Sequence, residues 1–159
     1  MAMHTWFECK IRYEKVMENG MQKKVTEPYL VDALSFTEAE ARIIEEITPF
    51  ISGEFTVSDI KRANYSELFP SDEESADRWF KCKLIFITLD EKSGAEKKTS
   101  TQVLVQAADL RDAVKKLDEG MKGTMADYQI GMVSETPLMD VYPYSTEPND
   151  KPEFDPSKA

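Results

Sequence analysis

Trp6 and Trp79 open two nearly identical stretches, WFECKIRY at 6–13 and WFKCKLIF at 79–86, and Lys10 and Lys83 follow at the same spacing. Within the first, Phe7, Cys9, Ile11 and Tyr13 alternate with Trp6, Glu8, Lys10 and Arg12, the period of a strand with one face toward a core. Indole and ammonium therefore share the polar face. A lysine pair also follows each predicted hairpin turn, Lys23 with Lys24 and Lys97 with Lys98. An aromatic ring and a cation on one sheet face, beside basic hairpin ends, is an arrangement on which single-stranded nucleic acid stacks its bases and rests its phosphates. The competing reading, which is favoured, is that each Trp covers a sheet end or packs on the linker or tail. The lysines then only charge edge strands against pairing with other chains.

Other chemistry fails on spacing. His4 is the single histidine and stands in the terminus, while Cys9 and Cys82 are 73 residues apart. Two thiolates without further soft ligands do not close a zinc site, and neither thiol has a base beside it in sequence, so both cysteines read as core. Gly120 to Thr124 (GMKGT) follows a predicted helix and does not precede one, so its glycines stop a helix and do not cradle phosphate. The carboxylate pairs Glu45-Glu46 and Asp118-Glu119 point to different sides of their helices and coat solvated faces. No catalytic residue, cofactor or metal is assigned, and the chain reads as no enzyme.

The repeated strand extends into a repeated unit. Val25 to Ala33 resumes a strand after the turn Glu18-Asn19-Gly20, and Pro28, which has no N–H, places it at an edge or a bulge. Ser35 with Glu38 is a capping box ahead of Phe36, Ala39, Ile43 and Ile47, which predicts an amphipathic helix ending near Pro49. Phe55 to Lys61 reads as a third strand and Tyr65 to Phe69 as a short fourth. The same series returns from Trp79, with Ser93-Gly94 as the turn, Val103 to Val105 as strand, and Asp109 with Asp112 as the helix start. Leu110, Ala113, Leu117 and Met121 form its apolar stripe, followed by Tyr128 with Ile130 and by Val141-Tyr142. The expected fold is α+β, an internal duplication of a ββαβ(β) unit. It is mainly antiparallel, with one helix packed per unit and one compact domain in all. The expected boundaries are 1–69 for the first unit, 70–78 for an acidic, solvated connector, 79–142 for the second unit and 143–159 for a flexible, Pro- and acid-rich tail. A helical turn over 72–78 with Ser71 as its cap is an option.

The 159 residues carry 30 acidic against 20 basic side chains, a net charge of −10. Half of that excess lies in the connector and tail. An acidic field argues against a general nucleic-acid or anionic-membrane binder and favours a basic partner. Buried free thiols suit a reducing compartment, and with no apolar leader or membrane span the expected location is the cytoplasm.

The phrases WFKCKLIFITLDEKSG, VLVQA, EGMKGTMADYQI and YLVDALSFTEAEAR resemble a family of small uncharacterised bacterial and phage proteins, a domain of unknown function. The resemblance spans Trp6 to about Tyr142. It implies a compact cytoplasmic protein of bacterial or phage origin and brings no activity, cofactor or functional residue. The leading expectation is a non-enzymatic interaction protein with a protein partner. The alternative is association with single-stranded nucleic acid through Trp6, Lys10, Lys23, Lys24, Trp79, Lys83, Lys97 and Lys98. The remote alternative is an enzyme with its site in an inter-unit groove.

Overall fold

The computed structural model describes residues 5–124 and 127–143, so His4 and nearly all of the expected tail lie outside the described residues. In chain order the elements are β1 (Trp6–Val16), β2 (Gln22–Asp32), α1 (Phe36–Ile47) with a 3-10 turn (Thr48–Phe50), β3 (Phe55–Ala63), β4 (Glu67–Phe69), β5 (Arg78–Leu89), β6 (Glu96–Ala107), α2 (Leu110–Gly120), β7 (Asp127–Glu135) and β8 (Asp140–Tyr142). They form two units, residues 64–138 and residues 5–63 with 139–143. The fold is α+β, as the repeated pattern predicts.

The first unit is a four-stranded sheet of order β3-β1-β2-β8 with α1 on one face. The alternating residues Phe7, Cys9 and Ile11 of β1 meet Tyr29 and Val31 of β2 and Ala39, Ile43 and Ile47 of α1 in one core. Fully burying each large member of such a core contributes about 1.5–3 kcal/mol relative to leaving it in water. The helix begins where the capping box predicts. Ser35 Oγ accepts from the Glu38 N–H at 3.1 Å, while the Glu38 carboxylate reaches back to accept from the Leu34 N–H. Pro28 stands in β2 opposite Lys10, at the point where the neighbouring β8 ends. Its missing donor therefore falls where that side of β2 becomes an open edge.

The second unit has the order β4-β6-β5-β7, which read from its other end is that of the first. Phe80, Cys82 and Leu84 meet Val103, Val105, Ala113 and Leu117 in its core. Asp109 Oδ1 accepts from the Asp112 N–H at 2.8 Å, and Asp112 Oδ2 accepts from the Ala108 N–H at 2.9 Å, repeating the α1 cap with aspartates. The repeat reaches the irregularities. β3 bulges at Ser58 where β1 passes from Lys10 to Ile11, and β7 bulges at Gly131 where β5 passes from Lys83 to Leu84.

The fourth strands depart from expectation. Tyr65–Phe69 was expected to complete the first unit, but β4 runs parallel to β6, Glu67 to Phe69 against Val103 to Val105. β8 runs parallel to β2, Asp140 to Tyr142 against Tyr29 to Val31. Each sheet is thus finished by the short strand that follows the other repeat. Side-chain fit accounts for the exchange. Phe69 packs on the second core, and its ring lies so close to Gly120 that a Cβ there would stand 2.9 Å from it. Tyr142 packs on the first core, stacked on Tyr29 with centroids 6.2 Å apart.

The connector is mostly exposed, as expected of it, but it is also fastened in place. Residues 70–77 form no helix, Ala76 is 3 % exposed, and the Ser71 N–H donates to Gln106 Oε1 at 2.9 Å. Ser71 Oγ accepts from Glu73 N at 3.2 Å and from Lys116 Nζ at 3.0 Å, which fastens the segment to α2.

Candidate interaction surface

Trp6 and Trp79 share their strand face with Lys10 and Lys83, but the indoles are 3 % and 5 % exposed. Neither presents a ring on which a base could stack. On the same face as Trp6, Leu30 is 0 % and its β8 partner Val141 is 8 % exposed. That end of the sheet is shielded on both sides. The signal was present in the runs YLV and VLV, where apolar residues stop alternating, as they do in strands buried on both faces.

The lysines divide. Lys10 is half-buried in register with Pro28 and Asp59, and Lys83 is half-buried in register with Gln102 and Met132. Lys23, Lys24, Lys97 and Lys98 are exposed on the outer halves of β2 and β6. Lys23 faces Lys15 across the hairpin and Lys24 faces Glu14, whereas Lys97 and Lys98 face Thr88 and Ile87. Each pair lies at the far end of its own hairpin from the buried Trp.

The cysteines are packed thiols. Burial first, and then the carboxylates of Glu8, Asp59 and Glu40, push the Cys9 thiol up to about 12. Burial alone pushes Cys82 up to about 11. Both stay protonated near neutrality, which suits neither a nucleophile nor a metal ligand.

One basic residue on each helix holds the segment that leaves the exchanged strand. Lys116 Nζ lies 2.8 Å from Glu73 Oε1 and 3.1 Å from Asp112 Oδ2. Its counterpart Arg42 donates to the Asp32 carbonyl and, at 3.2 Å, to the Pro143 carbonyl. The Glu73 hydrogen bond chiefly raises the Lys116 ammonium, and the Ala108 N–H, followed by Lys116, lowers the Asp112 carboxyl. An open groove of about 650 Å3 beside this clasp is lined by Phe69, Ser71, Asp72, Lys116, Glu119 and Gly120 among others. Its lysine is already engaged by two carboxylates, so the groove reads as the seam along which the connector is fastened. Sequence reasoning missed this role of Lys116, although Arg42 and Lys116 occupy matching helix positions.

The sheet edges separate the units most sharply. β3 carries Asp59, Lys61 and Arg62, with the Arg62 guanidinium 5.5 Å from the Phe7 ring centroid and 5.8 Å from that of Phe36. β7, at the same sheet position, is uncharged from Tyr128 to Ser134 and exposes Ile130 (36 %) and Met132 (41 %). Gly131 leaves room for the Ile85 side chain, whose Cδ1 would stand 3.0 Å from a Cβ there. On the sheet face away from the helix, the first unit has Arg12, Glu14 and Asp59 where the second has Ile85, Ile87 and Met132.

Residues 5–144 match the family described as a domain of unknown function, DUF4494. Comparison with curated proteins gives no match, nor does comparison with solved structures. Among the described residues no helix is long and apolar enough to cross a membrane.

Proposed function

We propose that this chain, which belongs to the domain-of-unknown-function family DUF4494, works by binding a protein partner and not by catalysis. The observation that carries the reading is the unlike dressing of two like units. They agree in register, bulge, cap and core, yet on the sheet face away from the helix the second has half-buried Ile85 and Ile87 and exposed Met132 where the first has Arg12, Glu14 and Asp59. Apolar side chains at outward positions where the matching positions of the other unit carry charge are the mark of a contact surface. The resemblance to small bacterial and phage proteins supports such a source, and thiols held protonated by burial suit a reducing cytoplasm.

Affinity capture of the tagged full chain from its native host, with and without nuclease, tests this. One specific protein recovered in both arms is the expected result. Repeated recovery of nothing, or of nucleic acid alone, overturns it.

Association with single-stranded nucleic acid keeps one supporting observation, the exposed pairs Lys23-Lys24 and Lys97-Lys98. With the indoles buried, such binding is electrostatic and fades steeply with salt. Anisotropy of a labelled oligothymidylate at low salt, repeated after all four lysines are changed to Ala, checks it. Binding that survives the changes removes the lysines from consideration.

A further inference from the structure

An open sheet edge carries a row of unused N–H and C=O groups, and natural proteins blunt such edges with charge, proline or bulges. β3 is blunted by Asp59, Lys61 and Arg62 as well as by its bulge. β7 occupies the same position with the bulge alone. Its neutral run is bracketed by Asp127 and Glu135, and its exposed apolar groups lie on both faces of the sheet. Ile130 is in register with the core residue Leu84, and Met132 with Lys83 on the other face. A strand laid along β7 would find an apolar neighbour on either side.

Resting on the interaction reading above, we infer that β7 takes an additional strand from a protein partner, an extended segment with alternating apolar residues and Lys or Arg at its flanks. Main-chain hydrogen bonds give such strand addition its affinity, and alternate side chains with end charges give its specificity. The basic flanks follow from Asp127 at one end of the edge, from Glu135 at the other, whose exposed carboxylate also meets Arg78 at 3.7 Å, and from the chain's net charge of −10. A second copy of this chain fits less well. Antiparallel self-pairing centred on Gly131 sets Asp127 against Glu135 at both ends, and like charges directly opposite each other are destabilising.

The test uses the full-length protein and a fluorescein-labelled peptide, KKTVTITVKK, read by anisotropy at low salt. Its controls are EETVTITVEE and a basic peptide with alternate backbone amides N-methylated. The expected result is saturable binding of the basic peptide and binding at least about tenfold weaker for the acidic one and for the N-methylated one. Hydrogen exchange at 129–133 slows in the complex. Met132→Asp, which imports the residue that β3 has at this place, weakens binding at least about tenfold with an unchanged circular dichroism spectrum. Gln129→Lys is the second variant if the first does not fold. Equal binding of all peptides, no binding, or binding indifferent to a folded edge variant overturns the inference. So does self-association of the wild type that Met132→Asp removes, since a second copy then covers the edge. Recovery of the native partner by the Met132→Asp protein sinks the edge assignment and leaves the interaction reading standing. Peptide binding without any native partner does the reverse.

Discussion

β3 and β7 pair with the first strand of their repeats in the same register and bulge at the same step, yet one edge is charged and the other is neutral. Cys9 and Cys82 make the same comparison inside the cores. Both are 0 % exposed, but only Cys9 has carboxylates acting on it, because Glu8 and Asp59 stand where the second repeat has Lys81 and Met132. In a duplicated fold the positions that fill the core and set the register hold their chemistry. Those that meet solvent are free to diverge, as β7 and the neighbouring face of β5 do.

If the cores are equivalent, the largest substitutions should cost the same in both. Phe7→Ala and Phe80→Ala should each destabilise by about 3–5 kcal/mol in denaturant unfolding. Costs that differ by more than half would break the equivalence. Next comes the close approach of Phe69 to Gly120, which the first unit lacks. Gly120→Ala should cost about 1–3 kcal/mol by pushing the ring away, whereas Glu46→Ala, at the matching position of α1, should stay within about 0.5 kcal/mol. An equal response would show that the fourth strands seat alike. The caps are a smaller pair. Ser35→Ala and Asp109→Ala should each cost about 1 kcal/mol, read from the same unfolding curves.

The thiols sharpen the comparison only in alkali. A folded-state thiol value raised above the unfolded 9.0 contributes stability fully below that value, and the contribution is lost as pH rises toward about 11 for Cys82 and about 12 for Cys9. The denaturation midpoint should therefore be flat from this source at neutral pH and fall from about pH 9 upward. That first part of the fall should vanish in a Cys9→Ala, Cys82→Ala variant. Above pH 10 Tyr29 and Tyr142, also raised from 10.0, continue the decline. Thiolate absorbance of single-cysteine variants should show Cys82 ionising before Cys9, and the opposite order would remove the charge contrast between the units.

What the sequence made legible was local or repeated. The strand alternation of WFECKIRY, the Ser35 and Asp109 caps and the helix stripes each follow from spacing within one element. The offset between copies then placed most of the second unit. Partner choice for three-residue strands was not legible, since SELFP and DVYP carry no sign of which sheet they join. Proximity favoured the wrong one for Leu68 and Phe69. The two indoles were placed on the correct face, but alternation says nothing of whether a face meets water. The edge contrast was open to reading in FTVSDIKRA against DYQIGMVSE, but it acquires meaning only once both are known to be edges.

The exchanged strands also set a timetable. Arg42 waits for Pro143, 101 positions later in the chain, while Ser66 meets Gln102 after 36. As the chain leaves the ribosome at about 5–20 residues per second, the second sheet therefore has all its strands before the first has received β8. The half whose synthesis begins first is finished last, and until then the side of β2 at Tyr29–Val31 stands open to any strand that reaches it.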